Sequence, residues 1–468
     1  MNTSGWTLSN PLAARKTAAP VEPRSLDERL EATLRRRDEG LSPRALRRAL
    51  ADLQAVVDTS VSEVEAGRRA SEVAQWYGGL TGDERRDVWL LMSERFAPDG
   101  EKIRAAHDHY KSAGKQAGAG QAEVRLRRAL VSPRARLLQR FAVAEPGLRF
   151  LIALRAELLP HLRSDPRLVA LEAELEHLFS TWFDVAFLDL RRISWDSPAS
   201  LIEKLIQYEA VHDIRSWSDV KNRLDSDRRC YGFFHPRMPD EPLIFVEVAL
   251  LDRVSDSITP LLDEAAAASD LTRASTAIFY SISSTQKGLR GVSFGDSLIK
   301  RVVETLSEEF PKLKTFATLS PIPGLRGWLQ KNAGGVFDLL SEKERTELGK
   351  ALGVDKPDAA AFLRGLDQPL ALEARSPVRQ LLLRGAARYL ARELDDGQPV
   401  DPVARFHLGN GARVERLNWG GDPSTKGLKQ SYGVMVNYLY DLKRLDKHRA
   451  ALAQGKVPAS REIDGLAG

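Results

Sequence analysis

The sequence predicts an α+β protein with an all-helical N-terminal domain and a mixed α/β domain that carries an additional helical segment. Leucines recur at helical spacing from Leu46 to Leu159, as in helices that bury one face. From Leu188 onward, short runs rich in β-branched and aromatic residues indicate strands. We therefore expect a disordered arm over residues 1–24, a helical domain over residues 25–187 and the mixed domain over residues 188–468.

Local signals place the elements in order. Ser42 followed by Pro43 is typical of the start of a helix. In the mixed domain we expect helices at Pro198–Val211, from Leu298 onward and within Ser341–Leu394. Strands are expected at Leu188–Trp195, Arg229–Phe234, Leu243–Leu250, Ala277–Ile282, Thr315–Ser320 and Ala412–Trp419, followed by a last segment at Val434–Leu442. Pro236, Pro239 and Pro242 argue against a strand through the turn between the second and third strands, and Pro321 should end the fifth.

Composition excludes several classes of protein. Lys and Arg outnumber Asp and Glu by only 69 to 64, without a basic block, so nucleic acid is not an expected partner. The single cysteine, Cys230, excludes a disulfide framework and a cysteine-rich metal site. No apolar run approaches the roughly 20 residues of a membrane span. A cytoplasmic protein with no membrane partner is the simplest expectation.

The stretch Ser281–Phe310 changes from strand to helix across a loop that contains Gly288, Gly291 and Gly295. Glycines let backbone N–H groups approach an anion at the positive end of a helix, which Asp296 or Ser293 could cap. The spacing fits neither the dinucleotide fingerprint nor the nucleotide triphosphate loop. An ordinary strand-turn-helix corner is the alternative to a pyrophosphate site. The candidate binding residues are Gln286, Gly288, Arg290, Gly291, Val292, Ser293, Phe294, Gly295 and Asp296.

Several segments occur together in one order. They read FFHPRMPDEPLIFVEVAL, AIFYSISSTQKGLRGVSFGDSLIKRVVETL, TFATLSPIPGL, DPVARFHLGNGA, LNWGGDPSTKG and SYGVMVNYLYD. From about Ile193 to Asp441 the chain resembles the malonyl-CoA decarboxylase family, and RGVSFG loosely resembles the coenzyme A loop of GNAT-type acetyltransferases. The resemblance implies a helical oligomerisation domain and a GNAT-like catalytic domain that converts malonyl-CoA to acetyl-CoA and carbon dioxide. It also implies a homo-oligomer, a dimer or tetramer, and no metal or organic cofactor.

Three residues are candidates for catalysis. Taken alone, His407 reads as a core histidine and Ser320 as a turn-capping hydroxyl. The resemblance implies that His407 is the catalytic histidine, that Ser320 is its serine partner and that Tyr440 donates to the thioester oxygen. Loss of carbon dioxide leaves an enolate that needs a proton from an acid with a pKa near working pH, which suits an imidazole. No G-x-S-x-G elbow surrounds Ser320, so we expect a hydrogen-bonding role rather than a nucleophile.

The remaining candidate residues have weaker support for a role in the site. Ser293 stands where some members of the family have a glutamate, so an acid from that loop is not expected here. His235 could be structural or could border the substrate, and His212 could be a local cap. Surface positions are expected for the other five histidines, His107, His109, His161, His177 and His448. No cluster has the spacing of a metal site.

Two other functions remain open. The first is transfer of an acyl group from coenzyme A to an amine, the usual activity of the GNAT fold, and the second is a non-catalytic acyl-CoA sensor. A fold alone does not decide between them. Incubation with malonyl-CoA without an acceptor would separate all three.

Overall fold

A computed structural model of the protein describes residues 23–114, 118–292 and 298–468. The chain forms two compact units, which divide between Leu175 and Glu176. Apart from Pro23 and Arg24, the predicted arm lies outside the described residues. Ser293 and Asp296, the candidate caps of the helix after the glycine loop, lie outside them as well. No helix in the described ranges is long and apolar enough to cross a bilayer.

The described residues up to Trp182 form helices and their connections, as the leucine pattern predicts. Ser42 accepts the N–H of Ala45 at 3.2 Å and Pro43 occupies the first turn, so this helix starts at the predicted residue. Its leucines at the predicted spacing, such as Leu46 and Leu53, are buried. The helices are α1 Leu26–Glu31, α2 Pro43–Val57, α3 Glu63–Gly78, α4 Gly82–Leu90, α5 Gly100–Ala113, α6 Ala119–Leu130, α7 Pro133–Val143, α8 Leu148–Leu158 and α9 Val169–Trp182.

The second unit is built on a mixed sheet. Its strands are β1 Asp189–Ile193, β2 Arg228–His235, β3 Met238–Leu251, β4 Thr276–Ser284, β5 Thr315–Thr318 and β6 Ser320–Pro321, a small hairpin of β7 Leu394–Asp395 and β8 Gln398–Pro399, and then β9 Arg413–Asn418 and β10 Met435–Leu439. The order is β1-β2-β3-β4-β5-β10-β6, with β9 paired to β10. Among the described strands, β4 and β5 form the only parallel pair. The predicted α+β chain, with helices first and a mixed sheet in its second part, is confirmed.

Helices surround this sheet. They are α10 Ala199–Tyr208, α11 Trp217–Arg223, α12 Leu298–Glu309, α13 Leu325–Phe337, α14 Glu342–Leu352, α15 Ala359–Arg364, α16 Pro377–Ala391, α17 Pro402–Gly409, α18 Thr425–Ser431, α19 Leu445–Ala453 and α20 Arg461–Ala467. Helix α12 follows the glycine loop and buries Leu298, Val302 and Leu306 on one face, as its periodicity predicts. The helical segment expected within Ser341–Leu394 is therefore present as three separate helices, α14 to α16.

The prediction that prolines keep the hairpin turn out of the sheet is wrong. Strand β3 begins at Met238 and includes Pro239 and Pro242. Pairing of β3 with β4 begins only at Ile244, opposite Ser284, and pairing with β2 shifts register beside Pro242. Both prolines therefore lie at an irregular end of the strand, where a missing N–H removes no ladder bond to β4. Pro321 likewise belongs to β6, after a break at Leu319.

The position of the site follows from how two strands separate. Residues Thr276–Phe279 of β4 pair with Thr315–Thr318 of β5. Beyond this point β4 continues to Ser284, whereas the segment after β5 forms β6, which pairs with β10 and not with β4. The two segments therefore diverge, and a gap opens in the sheet between the second half of β4 and Ser320.

Candidate active site

His407 lies on a short helix, α17, whose N-terminus is capped by a side chain. Asp401 accepts the N–H groups of Val403 and Ala404 at 3.0 and 2.9 Å, and Pro402 occupies the first position of α17. His407 lies one and a half turns later, in the last turn of the helix, and its side chain is buried. The helix thus carries an imidazole from its capped end toward the gap in the sheet.

Ser320 and Tyr440 come from β6 and from the end of β10, two strands that pair with each other. Ser320 is the first residue of β6, and its Oγ lies 3.2 Å from Nε2 of His407. Tyr440 follows β10, where its N–H donates to the carbonyl of Phe316, and its hydroxyl lies 2.8 Å from Nδ1 of His407. The structure therefore brings the three predicted residues into contact. Their catalytic roles stay a prediction.

The hydrogen bonds assign the tautomer of the imidazole. The Ser320 hydroxyl donates to Oγ1 of Thr318 at 2.8 Å, so its oxygen is left to accept from His407. Nε2 then carries the ring proton, and Nδ1 accepts from the Tyr440 hydroxyl. Thr318 also accepts the N–H of Tyr438 at 3.1 Å. Tyr440, His407, Ser320 and Thr318 thus form one directed chain of donors and acceptors.

Burial sets the charge of this chain. Desolvation lowers the pKa of His407 to about 3, so the imidazole is neutral near pH 7. Burial also raises the pKa of Tyr440 above its usual range, while the positive charge of Arg449 acts in the opposite direction. The ring of Tyr438 stacks on His407 with centroids 4.7 Å apart, and Phe406 packs at 5.1 Å. The site holds a neutral, tightly packed imidazole.

A cavity of about 590 Å³ opens beside Ser320 and His407. It runs from this pair toward the glycine loop, and its lining is mainly apolar. The lining residues are Val211, Ile244, Phe279, Tyr280, Ser281, Ile282, Ser284, Gln286, Lys287, Leu289, Arg290, Gly291, Val292, Ser320, Pro321, Pro402, Val403, Phe406 and His407. A single cavity therefore joins the two regions that the sequence singles out.

The predicted binding loop meets this cavity in part. Gln286, Arg290, Gly291 and Val292 line it, whereas Gly288 is buried in a short turn and is not among the lining residues. Gly291 has a φ of 81°, in the region that favours glycine. Four further candidates lie outside the described residues: Ser293, Phe294, Gly295 and Asp296.

Some residues of the site escape prediction from sequence. Val403 precedes His407 by four residues and shares its helix face, so helical geometry could have indicated it, whereas Phe406 is only the neighbour of His407 along the chain. Thr318 precedes Ser320 by two residues on the same strand face, which is a comparable signal. Val211 comes from a distant segment and has no local signal. Its position depends on Lys426, which donates to the carbonyls of Ala210 and Val211.

The other histidines are structural or exposed. The expectation of a surface position is wrong for His448, which is buried with Nδ1 2.9 Å from the carbonyl of Gly411. His235 packs against Phe183 and accepts the N–H of Arg237 at Nδ1. Among the described residues, no group of three or more His, Cys, Asp or Glu is arranged to hold a metal ion.

A mixed sheet that opens on a cavity bordered by a buried Ser-His pair, preceded along the chain by a helical unit, is the architecture of an α+β enzyme. Family descriptions match both parts of the chain: the malonyl-CoA decarboxylase C-terminal domain over residues 186–467 and the N-terminal domain over residues 96–183. The chain belongs to the malonyl-CoA decarboxylase family.

Similar proteins span almost the same length. The mitochondrial malonyl-CoA decarboxylase of Anser anser anser is 36% identical over 427 residues, which cover 85% of this chain and 83% of that protein. The mouse protein of the same name is 35% identical, with 90% and 89% covered. A crystal structure of malonyl-CoA decarboxylase from Agrobacterium vitis is 39% identical, with a TM-score of 0.79 over 90% of this chain and 100% of that chain. The structure from Cupriavidus metallidurans is 43% identical, with a TM-score of 0.73 and the same coverage.

Proposed function

We propose that this protein decarboxylates malonyl-CoA to acetyl-CoA and carbon dioxide. The observation that carries the proposal is the position of His407, whose two ring nitrogens contact Ser320 and Tyr440 at 3.2 and 2.8 Å on the wall of a largely apolar cavity. The names of the related proteins support the same substrate. Acyl transfer to an amine would need a base with a free nitrogen or oxygen that can accept the proton of the amine. Both ring nitrogens of His407 already make hydrogen-bond contacts, with Ser320 and Tyr440.

The cavity offers different chemistry at its two ends. Lys287 and Arg290 supply positive charge near the glycine loop, beside the turn at Gly291. We assign this end to the pyrophosphate of coenzyme A. The malonyl group then extends toward Ser320 and His407. The apolar walls between them, such as Ile282 and Leu289, fit an extended arm with few charges.

Bond cleavage needs the carboxylate to be desolvated and aligned. The bond between the carboxylate and the α-carbon breaks, carbon dioxide leaves, and the electron pair moves into the thioester to form an enolate. Phe406 and Val403 exclude water from this end of the cavity, which favours the change from a localised carboxylate to a neutral gas. The Ser320 hydroxyl can turn from Thr318 to the substrate oxygen while it still accepts from His407.

The proton comes through the imidazole. An imidazolium with a pKa near working pH was the expectation from sequence, but burial lowers the pKa of His407 to about 3, so the free site holds a neutral ring. We infer a relay in which Nε2–H passes to the α-carbon as Tyr440 O–H passes to Nδ1. The enolate carbon is a far stronger base than a phenolate, so a neutral donor suffices. A solvent proton that enters at Nε2, as the proton on Nδ1 returns to the Tyr440 oxygen, restores the starting state, so each turnover consumes one proton.

The decisive experiment uses purified protein and malonyl-CoA labelled in the free carboxyl carbon, without any amine acceptor. We expect labelled carbon dioxide and acetyl-CoA in equal amounts. We also expect equal rates before and after treatment with a chelator, because no metal is proposed in the reaction. If acetyl-CoA forms only when an amine is added, the protein is an acyltransferase. Binding without turnover would identify an acyl-CoA sensor.

A further inference from the structure

One buried carboxylate near the site takes no part in the proposed chemistry. Asp401 has 0% exposure, and its Oδ1 caps α17 through the N–H groups of Val403 and Ala404. Its other oxygen, Oδ2, makes no hydrogen bond that meets ordinary geometric limits within the described residues. A helix cap does not require a fully buried charge, because serine or threonine can do the same. The burial of Oδ2 without such a hydrogen bond is therefore not explained by the cap alone.

Oδ2 of Asp401 faces the place where the start of α13 meets α16. Gly324 is the N-cap of α13 and follows the Ser320–Pro323 segment directly. A Cβ at Gly324 would overlap the hydroxyl of Tyr389 on α16 and would lie 3.6 Å from Oδ2 of Asp401. The Gly324 N–H and the Tyr389 hydroxyl both favour the ionised form of Asp401, although burial outweighs them and raises its pKa. Asp401, Gly324 and Tyr389 thus meet at one point.

This contact joins the two halves of the site. Ser320 and His407 are separated by 87 residues, and their 3.2 Å contact depends on the relative position of β6 and α17. Asp401 holds the start of α17 with Oδ1, six residues before His407. With Oδ2 it faces the end of the segment that starts at Ser320. A small rotation of α17 would move Nε2 away from Ser320, and misplacement by about 1 Å can cost about 100-fold in rate.

We propose that Asp401 is a positioning residue that holds the helix of His407 against the segment of Ser320, through its cap on α17 and its contact with Gly324 and Tyr389. This inference rests on the proposed decarboxylation. It predicts that Asp401 affects turnover and leaves coenzyme A binding intact, because the glycine loop and β4 are not attached to this contact.

The test compares three variants of the full-length protein. Asp401→Ala removes both contacts, and Asp401→Asn keeps an acceptor oxygen for the cap and the shape of the side chain. Asp358→Ala is the matched control, because Asp358 caps α15 through the N–H of Ala361 at 2.7 Å and takes no part in the site. For each variant we would measure kcat and KM for malonyl-CoA, the Kd of acetyl-CoA and the midpoint of thermal unfolding.

We expect Asp401→Ala to lose roughly 30- to 100-fold in kcat with KM and the acetyl-CoA Kd within about twofold of the wild type. Asp401→Asn should recover only part of kcat, because asparagine caps helices as well as aspartate does but its NH2 group cannot accept the Gly324 N–H. Both alanine variants should unfold about 2–4 °C earlier, but Asp358→Ala should keep wild-type kcat.

Other outcomes overturn the inference. If Asp401→Ala keeps kcat within threefold, or if Asp358→Ala loses as much kcat, Asp401 is an ordinary cap. If kcat and acetyl-CoA binding fall together, the residue supports folding of the whole unit. A wild-type protein that releases no carbon dioxide would instead refute the proposed function, so the two failures can be told apart.

Discussion

The Tyr440 hydroxyl contacts Nδ1 of His407 at 2.8 Å, on the opposite side of the imidazole from the nitrogen that faces Ser320. Tyr440 is not among the residues that line the cavity, so the geometry favours action through the ring rather than direct contact with the thioester oxygen. The contact also completes the donor chain that leaves the proton on Nε2. The first prediction follows from this relationship.

Tyr440→Phe should lower kcat by roughly 100-fold or more with little change in KM, because it removes the proton that replaces the one given by Nε2. Steady-state kinetics with malonyl-CoA would measure this. Tyr231→Phe is a suitable control, since that buried hydroxyl lies outside the cavity lining. A rise in KM without a loss of kcat would instead place the Tyr440 hydroxyl on the substrate.

His407→Asn should lower kcat by about 10²- to 10⁴-fold, the range of general acid catalysis, and raise KM far less. Ser320→Ala should cost less if its hydroxyl only orients, and nearly all activity if it is a nucleophile. Because both groups serve one event, the double variant should be scarcely slower than His407→Asn alone. Losses that multiply fully would show that the two side chains act independently.

The low pKa of His407 predicts how stability depends on pH. The folded-state value of about 3 lies below the value of about 6.5 for an exposed histidine, so the unfolded chain binds more protons between these values. The contribution of His407 to the free energy of unfolding is complete above about pH 6.5 and is lost as the pH falls toward 3. Thermal unfolding midpoints should therefore fall less steeply with acid in His407→Asn than in the wild type. Identical slopes would contradict the buried, neutral imidazole.

Gly291→Val should raise KM by roughly 10-fold or more and change kcat little. None of the described residues lies within 4 Å of a Cβ at this position, so they leave room for the side chain. The φ of 81° is strained for valine, and the added methyl groups would occupy space assigned to the pyrophosphate. Gly327→Val, with equally open surroundings on α13, tests the effect of bulk alone. An unchanged KM in folded Gly291→Val would remove the phosphate role of this loop.

The helical part predicts self-association. Exposed apolar side chains remain on the part of the chain before Leu175, including Val64, Tyr110, Leu130 and Val131. We expect sedimentation at micromolar concentration to show a dimer or tetramer, as the family resemblance implies. Replacement of Leu130 and Val131 by lysine should shift the assembly toward smaller species if this surface is used. A monomer in the wild type would contradict the prediction.

Local patterns in the sequence determined the elements, since hydrophobic period, caps and turn residues act over a few positions. The buried face of α12 and the start of α2 at Pro43 follow directly from such signals. The candidate residues His407, Ser320 and Tyr440 came from the family resemblance. Their contact in the structure depends on the pairing of β6 with β10, two strands that are far apart in sequence.

Tertiary structure decided what local signals do not encode. The prolines of β3 are tolerated because β4 does not pair with that end of the strand, and this depends on a partner about 40 residues away. His448 is buried, and its Nδ1 lies 2.9 Å from the carbonyl of Gly411, which is outside its own helix. The low pKa of His407 depends on its burial, in which the ring of Tyr438 stacks on the imidazole. Asp401 meets Gly324 and Tyr389, which come from other parts of the chain. Burial and electrostatics sum over all neighbours in space, whereas a sequence pattern reports only neighbours along the chain.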